Sequence, residues 1–318
     1  MKTELRGVFA PIVTPFRPSD GEVDLPWLRQ HVAYLRDHGC AGVIPCGTNG
    51  EAASLSVAER QAIVEATLAA ADGLTVVPGT GASALPDAIT LTRHAFAAGA
   101  TAVLVMPPFY FKRPADAGVV AWFQRLIDAA VPAGGRVLLY HIPQTTGVPI
   151  SDGILQALRA SHREALYGIK DSTGDPSQGA HIRATFPWLT YFVGNDHLVG
   201  AACQAGGAGS ITAGANVFPD LVAAVQRAAW DGGDVAASQA ILTEARGLLE
   251  SCPLQPATKT ALSEVAGLPP TAVRPPLVEL TAEQRAAFVA TLRAALPRWR
   301  EGRVGNQTTV ANSAAPIC

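Results

Sequence analysis

Charge is in short supply: Asp, Glu, Lys and Arg make up 16% of the 318 residues, and the formal net charge is −2. No basic stripe is present to neutralise a phosphate backbone, so nucleic acid is not an expected partner. Lysine is scarce even within that share, with only Lys2, Lys112, Lys170 and Lys259 among 24 basic residues. Cysteine is sparse too. Cys40, Cys46, Cys203, Cys252 and Cys318 are odd in number and widely spread, with no CxxC pair. A disulfide framework and a zinc site are therefore not expected, and the thiols read as reduced and mostly buried. No run approaches the ~20 apolar residues that span a bilayer, and the opening residues lack the apolar core of a secretory signal. The expected setting is the cytoplasm, with no membrane partner. Nor does a GxGxxG turn follow the first apolar run, which ends in Thr14-Pro15-Phe16; a dinucleotide-binding open sheet would carry one.

Apolar residues are plentiful, at 48% of the chain, enough to fill a sizeable core. Their arrangement is rhythmic. Short β-branched runs at 8–14, 42–45, 75–79, 102–106, 137–142, 167–170, 190–193 and 209–212 alternate with longer segments. The runs lack in/out alternation, as parallel strands covered on both faces require. The intervening segments, such as 27–38, 57–71, 87–98 and 119–130, are apolar at helical spacing. Ser56 and Glu59 form a capping-box pattern, and Pro26 sits where a first-turn proline belongs. Eight βα units of roughly 30 residues predict a (β/α)₈ TIM barrel over 1–232. Three further helical patterns, at 235–249, 255–266 and 282–296, predict a C-terminal three-helix extension over 233–300. The polar, aperiodic segment 301–318 reads as a disordered tail.

In a barrel, side chains at the C-terminal ends of the strands face the site. The sixth run ends in Lys170. An amine taken out of water loses preference for its charged form and can attack a carbonyl; a strand-end lysine can equally snorkel to solvent. Near the end of the fifth run stands Tyr140, a proton donor and acceptor one strand away, or else a core tyrosine with a satisfied hydroxyl. After the second run, Gly47-Thr48-Asn49-Gly50-Glu51 frees the backbone for a tight loop able to hold a carboxylate, or makes a plain βα turn. Phe109 and Tyr110 follow the fourth run in a Pro-set loop, placed to serve the site or a subunit contact. His141 and His197 lie near strand ends without a partner at metal spacing. Glu51, Asp171, Asp175 and Asp196 have no ligand spacing either, so no metal is expected.

Four strings together resemble a known family. Gly47 to Glu51 resembles the GTTGE/GSTGE/GSNGE signature, and Tyr140-His141-Ile142-Pro143 with Thr146-Gly147 resembles YNVPxRTG. Pro108-Phe109-Tyr110 resembles PYY, and Ile169-Lys170-Asp171-Ser172 resembles the lysine strand. All four belong to the dihydrodipicolinate synthase/N-acetylneuraminate lyase family of class I, pyruvate-type aldolases. They occur in order from about residue 7 to residue 216, with the helical extension behind them. The resemblance implies that Lys170 forms a Schiff base and that Tyr140 is the acid/base. It implies that Thr48 relays protons, and that Tyr110 completes the relay across a subunit interface in a homodimer or homotetramer. The Thr48–Asn49 backbone, with Gly50, would hold the carboxylate of the 2-oxo acid. Thr145, Ser172, Gly194 and Ile211 would line the substrate pocket. No cofactor is implied, because the covalent lysine iminium is itself the electron sink.

The departures point away from the lysine-pathway synthases. Those enzymes place an arginine two residues after the proline of the tyrosine motif, where Thr145 stands here. A hydroxyl cannot replace a bidentate, permanently charged fork. Asn49 and Lys170-Asp171-Ser172 look more like the 4-hydroxy-2-oxo and 2-oxo-3-deoxy acid aldolases. His141 stands where asparagine is commoner. The expected enzyme is a Schiff-base lyase/aldolase joining or splitting a 2-oxo acid and an aldehyde, with pyruvate released or condensed. Its rivals are 4-hydroxy-tetrahydrodipicolinate synthase and a 2-oxo-3-deoxy sugar acid dehydratase. A third rival, a non-catalytic oxo-acid-binding protein, is disfavoured by Lys170, Tyr140 and Thr48 occurring together.

Overall fold

A computed structural model describes residues 4–307, with side chains to residue 301. Eight parallel strands wind in chain order: β1 (Gly7–Ala10), β2 (Gly42–Val43), β3 (Thr75–Val76), β4 (Ala102–Val105), β5 (Arg136–His141), β6 (Leu166–Asp171), β7 (Thr190–Val193) and β8 (Gly209–Ile211). Their order is β3-β2-β1-β8-β7-β6-β5-β4, and a parallel bridge between Gly79 and Leu104 joins the outer two. The sheet thus closes into the expected TIM barrel. Helices α1 (Leu25–Asp37), α2 (Val57–Ala70), α3 (Leu85–Ala97), α4 (Asp116–Ala130), α5 (Pro143–Thr146), α6 (Asp152–His162), α7 (Pro176–Thr185), α8 (Val199–Gln204) and α9 (Pro219–Asp231) lie between and after the strands. The Ser56–Glu59 capping box forms in full at the start of α2.

The strands are shorter than the apolar runs that announced them. Pro11, Pro45, Pro78 and Pro107 stand just beyond β1 to β4, and proline brings no N–H to a ladder. The first run nevertheless stays inside, with Ile12 and Val13 fully buried and the Val13 N–H donating to Asn216 Oδ1 at 3.1 Å. Pairing there stops after the Ile12 N–H donates to the Ile44 carbonyl at 3.0 Å, and beyond it hydrophobicity reports burial. Two apolar layers result. Phe9, Ile44, Leu104, Leu138, Phe192 and Ile211 fill the barrel interior, where the Phe9 and Phe192 rings meet edge to face at 5.5 Å. The other faces of the strands pack against the helices.

The extension is α10 (Val235–Glu250), α11 (Leu254–Val265) and α12 (Ala282–Gln307). Helix α12 runs past Pro297 and through 301–307, which were expected to belong to an aperiodic tail; residues 308–318 of that tail lie outside the described residues. Packing explains the added length, because Trp299 is buried against Phe218 with ring centroids 5.4 Å apart. Cys40, Cys46 and Cys203 are buried free thiols, Cys252 is half-buried, and Cys318 lies outside the described residues. No described helix is long and apolar enough to cross a membrane.

His31, which no sequence motif singles out, is fully buried on α1 with Nε2 3.1 Å from the Asn216 carbonyl. Burial pushes its pKa down to about 4, against the smaller upward pull of that hydrogen bond. The ring is therefore neutral in the fold but takes a proton near pH 6.5 once unfolded. The depressed folded value makes stability fall as pH falls from about 6.5 to about 4, by about 3 kcal/mol in all. Urea midpoints at pH 7 and pH 4.5 should show this loss, and His31→Gln should lose measurably less over the same interval. Equal losses in the two proteins would exclude His31 as the cause.

Candidate active site

Strand register assembles the centre. The β5–β6 ladder sets Tyr140 beside Lys170 and His141 beside Asp171. Side chains alternate along a strand, so Tyr140 and Lys170 share the interior while His141 and Asp171 face the helices. Lys170 is 5% exposed, with Nζ 4.0 Å from the centroid of the Tyr140 ring. The Tyr140 hydroxyl lies 3.3 Å from Thr48 Oγ1, and either oxygen can donate. Burial alone would push the Tyr140 pKa up, but the Lys170 ammonium and the Thr48 hydrogen bond outweigh it and bring it below the ordinary tyrosine value. A buried phenol held this way passes a proton more readily in both directions.

Thr48 comes from a strained turn after β2. Cys46 and Glu51 both adopt left-handed backbone, with φ 59° and 52°, a conformation costly for residues other than glycine and concentrated at functional sites. Between them, Gly50 passes the chain too close for a side chain: a Cβ there would lie 2.9 Å from the Ile12 carbonyl oxygen. Thr14 Oγ1 donates to the Gly50 carbonyl at 2.6 Å. The N–H groups of Thr48 and Asn49 have no hydrogen-bond partner among the described residues. Two such adjacent donors suit an anion.

The remaining expected residues fall in different places. Ser172, two residues after Lys170, has a buried Oγ close enough to the Tyr140 hydroxyl to help lower its pKa. Gly194 makes room for it, since a Cβ at 194 would collide with Ser172 Oγ. Ile211 is buried in the barrel interior. Thr145 is exposed on α5 and, with Tyr140 and Thr48, lines a cavity of about 490 Å³. Tyr110 is not brought to the centre within one chain. Its ring is 74% exposed and packs edge-on to Phe111 at 5.4 Å.

Sequence reasoning set Glu51 and Asp171 within motif strings and ruled them out as metal ligands but gave neither a role of its own, and the structure employs both. Glu51 is buried, with Oε1 2.5 Å from Lys259 Nζ on α11 and Oε2 accepting from the Arg274 N–H at 3.0 Å. The last residue of the glycine-threonine string thus fastens the extension to the turn that carries Thr48. Asp171 accepts from Thr173 Oγ1 at 2.8 Å and from the Tyr191 hydroxyl at 3.0 Å. His141 Nδ1 stands 3.9 Å from that carboxylate. Burial lowers the His141 pKa more than Asp171 raises it, leaving a neutral ring. Asp196 binds the Gly214 N–H at 3.0 Å and Arg246 at 3.2 Å, and Asp175 caps α7. Among the described residues, no group of three His, Cys, Asp or Glu side chains is arranged to hold a metal ion.

The sequence model of the dihydrodipicolinate synthetase family matches residues 4–295. An uncharacterized DapA-like lyase of Chloroflexus aurantiacus is 46% identical over 299 residues, covering 94% of this chain and 98% of that protein. A 4-hydroxy-tetrahydrodipicolinate synthase of Methanosphaerula palustris is 33% identical over 295 residues, covering 90% of this chain and 98% of its own. Among solved structures, YagE is a prophage protein of the dihydrodipicolinic acid synthase family from E. coli K12, in complex with pyruvate. It superposes with a TM-score of 0.85 at 25% identity, covering 92% of this chain and 99% of its own.

Proposed function

This chain belongs to the dihydrodipicolinate synthetase family and is an enzyme of its aldolase/lyase type; from that premise we propose that Lys170 forms a Schiff base with a 2-oxo acid, and that pyruvate is the acid condensed or released. The observation that carries the reading is the buried Lys170–Tyr140 pair, with Thr48 on the Tyr140 hydroxyl. The amine of Lys170 adds to the keto carbon, and water leaves to give the iminium. The 2-oxo acid carboxylate is held on the unpartnered Thr48 and Asn49 N–H groups. Tyr140 takes up a C3 proton, turning the iminium into an enamine, whose C3 attacks the aldehyde carbon. Tyr140 delivers a proton to the aldehyde oxygen, with Thr48 as the next carrier. Water then cleaves the iminium, restoring the amine and releasing a 4-hydroxy-2-oxo or 2-oxo-3-deoxy acid. Cleavage runs the same steps backwards. No cofactor enters this sequence.

Tyr110 and Phe111 are 74% and 75% exposed. Two adjacent bare aromatics are costly in water and support burial against a second subunit. In that arrangement Tyr110 reaches the partner's site, within a homodimer or homotetramer.

Thr145 sets the preference between second substrates. It offers a hydroxyl where a carboxylate-bearing aldehyde would need an arginine, and a lost charged hydrogen bond costs about 1.5–3 kcal/mol, or roughly 10- to 150-fold. Condensation of pyruvate with aspartate semialdehyde should accordingly be slower, by about that factor in kcat/KM, than turnover of at least one 4-hydroxy-2-oxo or 2-oxo-3-deoxy acid. Thr145→Arg should narrow the gap. Preferred turnover of aspartate semialdehyde by the native enzyme would restore the synthase.

A further inference from the structure

We propose that the aldehyde partner is uncharged and apolar, so that the enzyme makes and splits 4-hydroxy-2-oxo acids carrying a hydrocarbon or aromatic substituent at C4. The inference rests on the Schiff-base reading of Lys170 and narrows it to one substrate class. It comes from the wall of the cavity that Tyr140 and Thr48 open into. That cavity, of about 490 Å³, falls within the ~300–1,000 Å³ usual for small-molecule sites. Its lining is predominantly apolar. Met106 and Phe109 come from the loop after β4, Ala52 and Ala53 from the turn before α2, and Pro276 and Leu277 from the loop that leads into α12.

Charge is missing from this wall in a way that selects against anions. No arginine, lysine or histidine is among the lining residues. The one ionisable acid there, Glu51, is committed to Lys259 and to the Arg274 N–H. A carboxylate or phosphate on the aldehyde would give up water and meet no counter-charge.

The polar side chains also argue against a polyhydroxylated tail. Thr48 is engaged with Tyr140. Thr145 is exposed, and Ser54 and Gln255 are only half-buried, so all three are open to solvent. Sites that select hydroxyls do so with buried polar groups that suffer when the hydroxyl is absent, and none of the described polar side chains lining this cavity is both buried and unpartnered. A hydrocarbon substituent loses nothing on entry and removes apolar surface from water.

The step balances as one pyruvate and one aldehyde giving one 4-hydroxy-2-oxo acid. A C3–H bond of the pyruvate iminium breaks and the C3–carbonyl-carbon bond forms; the proton leaving C3 is taken up by Tyr140 and delivered to the aldehyde oxygen, and the water released on iminium formation is returned on hydrolysis. The test uses the intact enzyme with pyruvate and three aldehydes: benzaldehyde, butanal and glyceraldehyde. Benzaldehyde or butanal should exceed glyceraldehyde in kcat/KM by about tenfold or more. Leu277→Asn, at a half-buried loop position, should cut that ratio at least threefold while leaving borohydride trapping of pyruvate unchanged. Preference for glyceraldehyde, or a ratio indifferent to Leu277→Asn, overturns the proposal while trapping at Lys170 still stands. Absence of any trapped pyruvate instead overturns the Schiff-base reading, and the substrate class with it.

Discussion

Replacing Lys170 with methionine should reduce carbon–carbon bond cleavage by a factor on the order of 10⁴ or more, because no other step can substitute for the covalent iminium. The side chain is 5% exposed and lies against the Tyr140 ring, so a flexible apolar chain of similar length can occupy its place without leaving a cavity. Fold and urea midpoint should therefore survive. Borohydride reduction with pyruvate should add a three-carbon mass to the peptide containing Lys170 in the native protein and to none in the variant. The other described lysines have different employment. Lys112 donates to the Phe109 and Thr146 carbonyls at 2.6 and 3.1 Å, and Lys259 is paired with Glu51. An adduct on either of them would move the chemistry elsewhere.

Lys259→Met should have the largest effect on stability. Its ammonium and the Glu51 carboxylate are each about 1% exposed, and Lys259 also donates to the Ala272 carbonyl at 2.6 Å. Removing one partner of a buried pair leaves an uncompensated charge, at a cost of about 3–5 kcal/mol. Equilibrium urea unfolding should register that loss. The double variant Lys259→Met, Glu51→Gln should recover most of it, since no charge is then stranded. Activity should fall in the single variant beyond the change in folded fraction, because Glu51 closes the turn that presents Thr48. A single variant as stable as the native protein would show that the pair does not hold the extension to the barrel.

The barrel was legible because burial leaves a periodic trace. A strand covered on both faces must be apolar throughout, and a helix packed on it must be apolar every third or fourth residue. Both patterns are local, so eight repeats could be counted in one chain. The extension was legible for the same reason, up to Pro297, where a local rule for ending helices gave way to the packing of Trp299 on Phe218. Lys170 stood out because it closes an apolar run whose end faces the barrel mouth, whereas Tyr140 and Thr48 stood out only as parts of motif strings.

Tertiary structure alone decided what depends on residues far apart in the chain. Glu51 and Lys259 are 208 positions apart, and no local pattern reveals that a motif glutamate serves as an anchor. His31 is one apolar-face residue among several until the Asn216 carbonyl arrives 3.1 Å from its ring. The apolar cavity wall gathers Ala53, Phe109 and Leu277 from three separate loops. Loops carry no periodicity to read, whereas strands and helices do. The sequence by itself therefore determined the scaffold and singled out the candidate site residues, and the folded chain determined how they are braced and what they face.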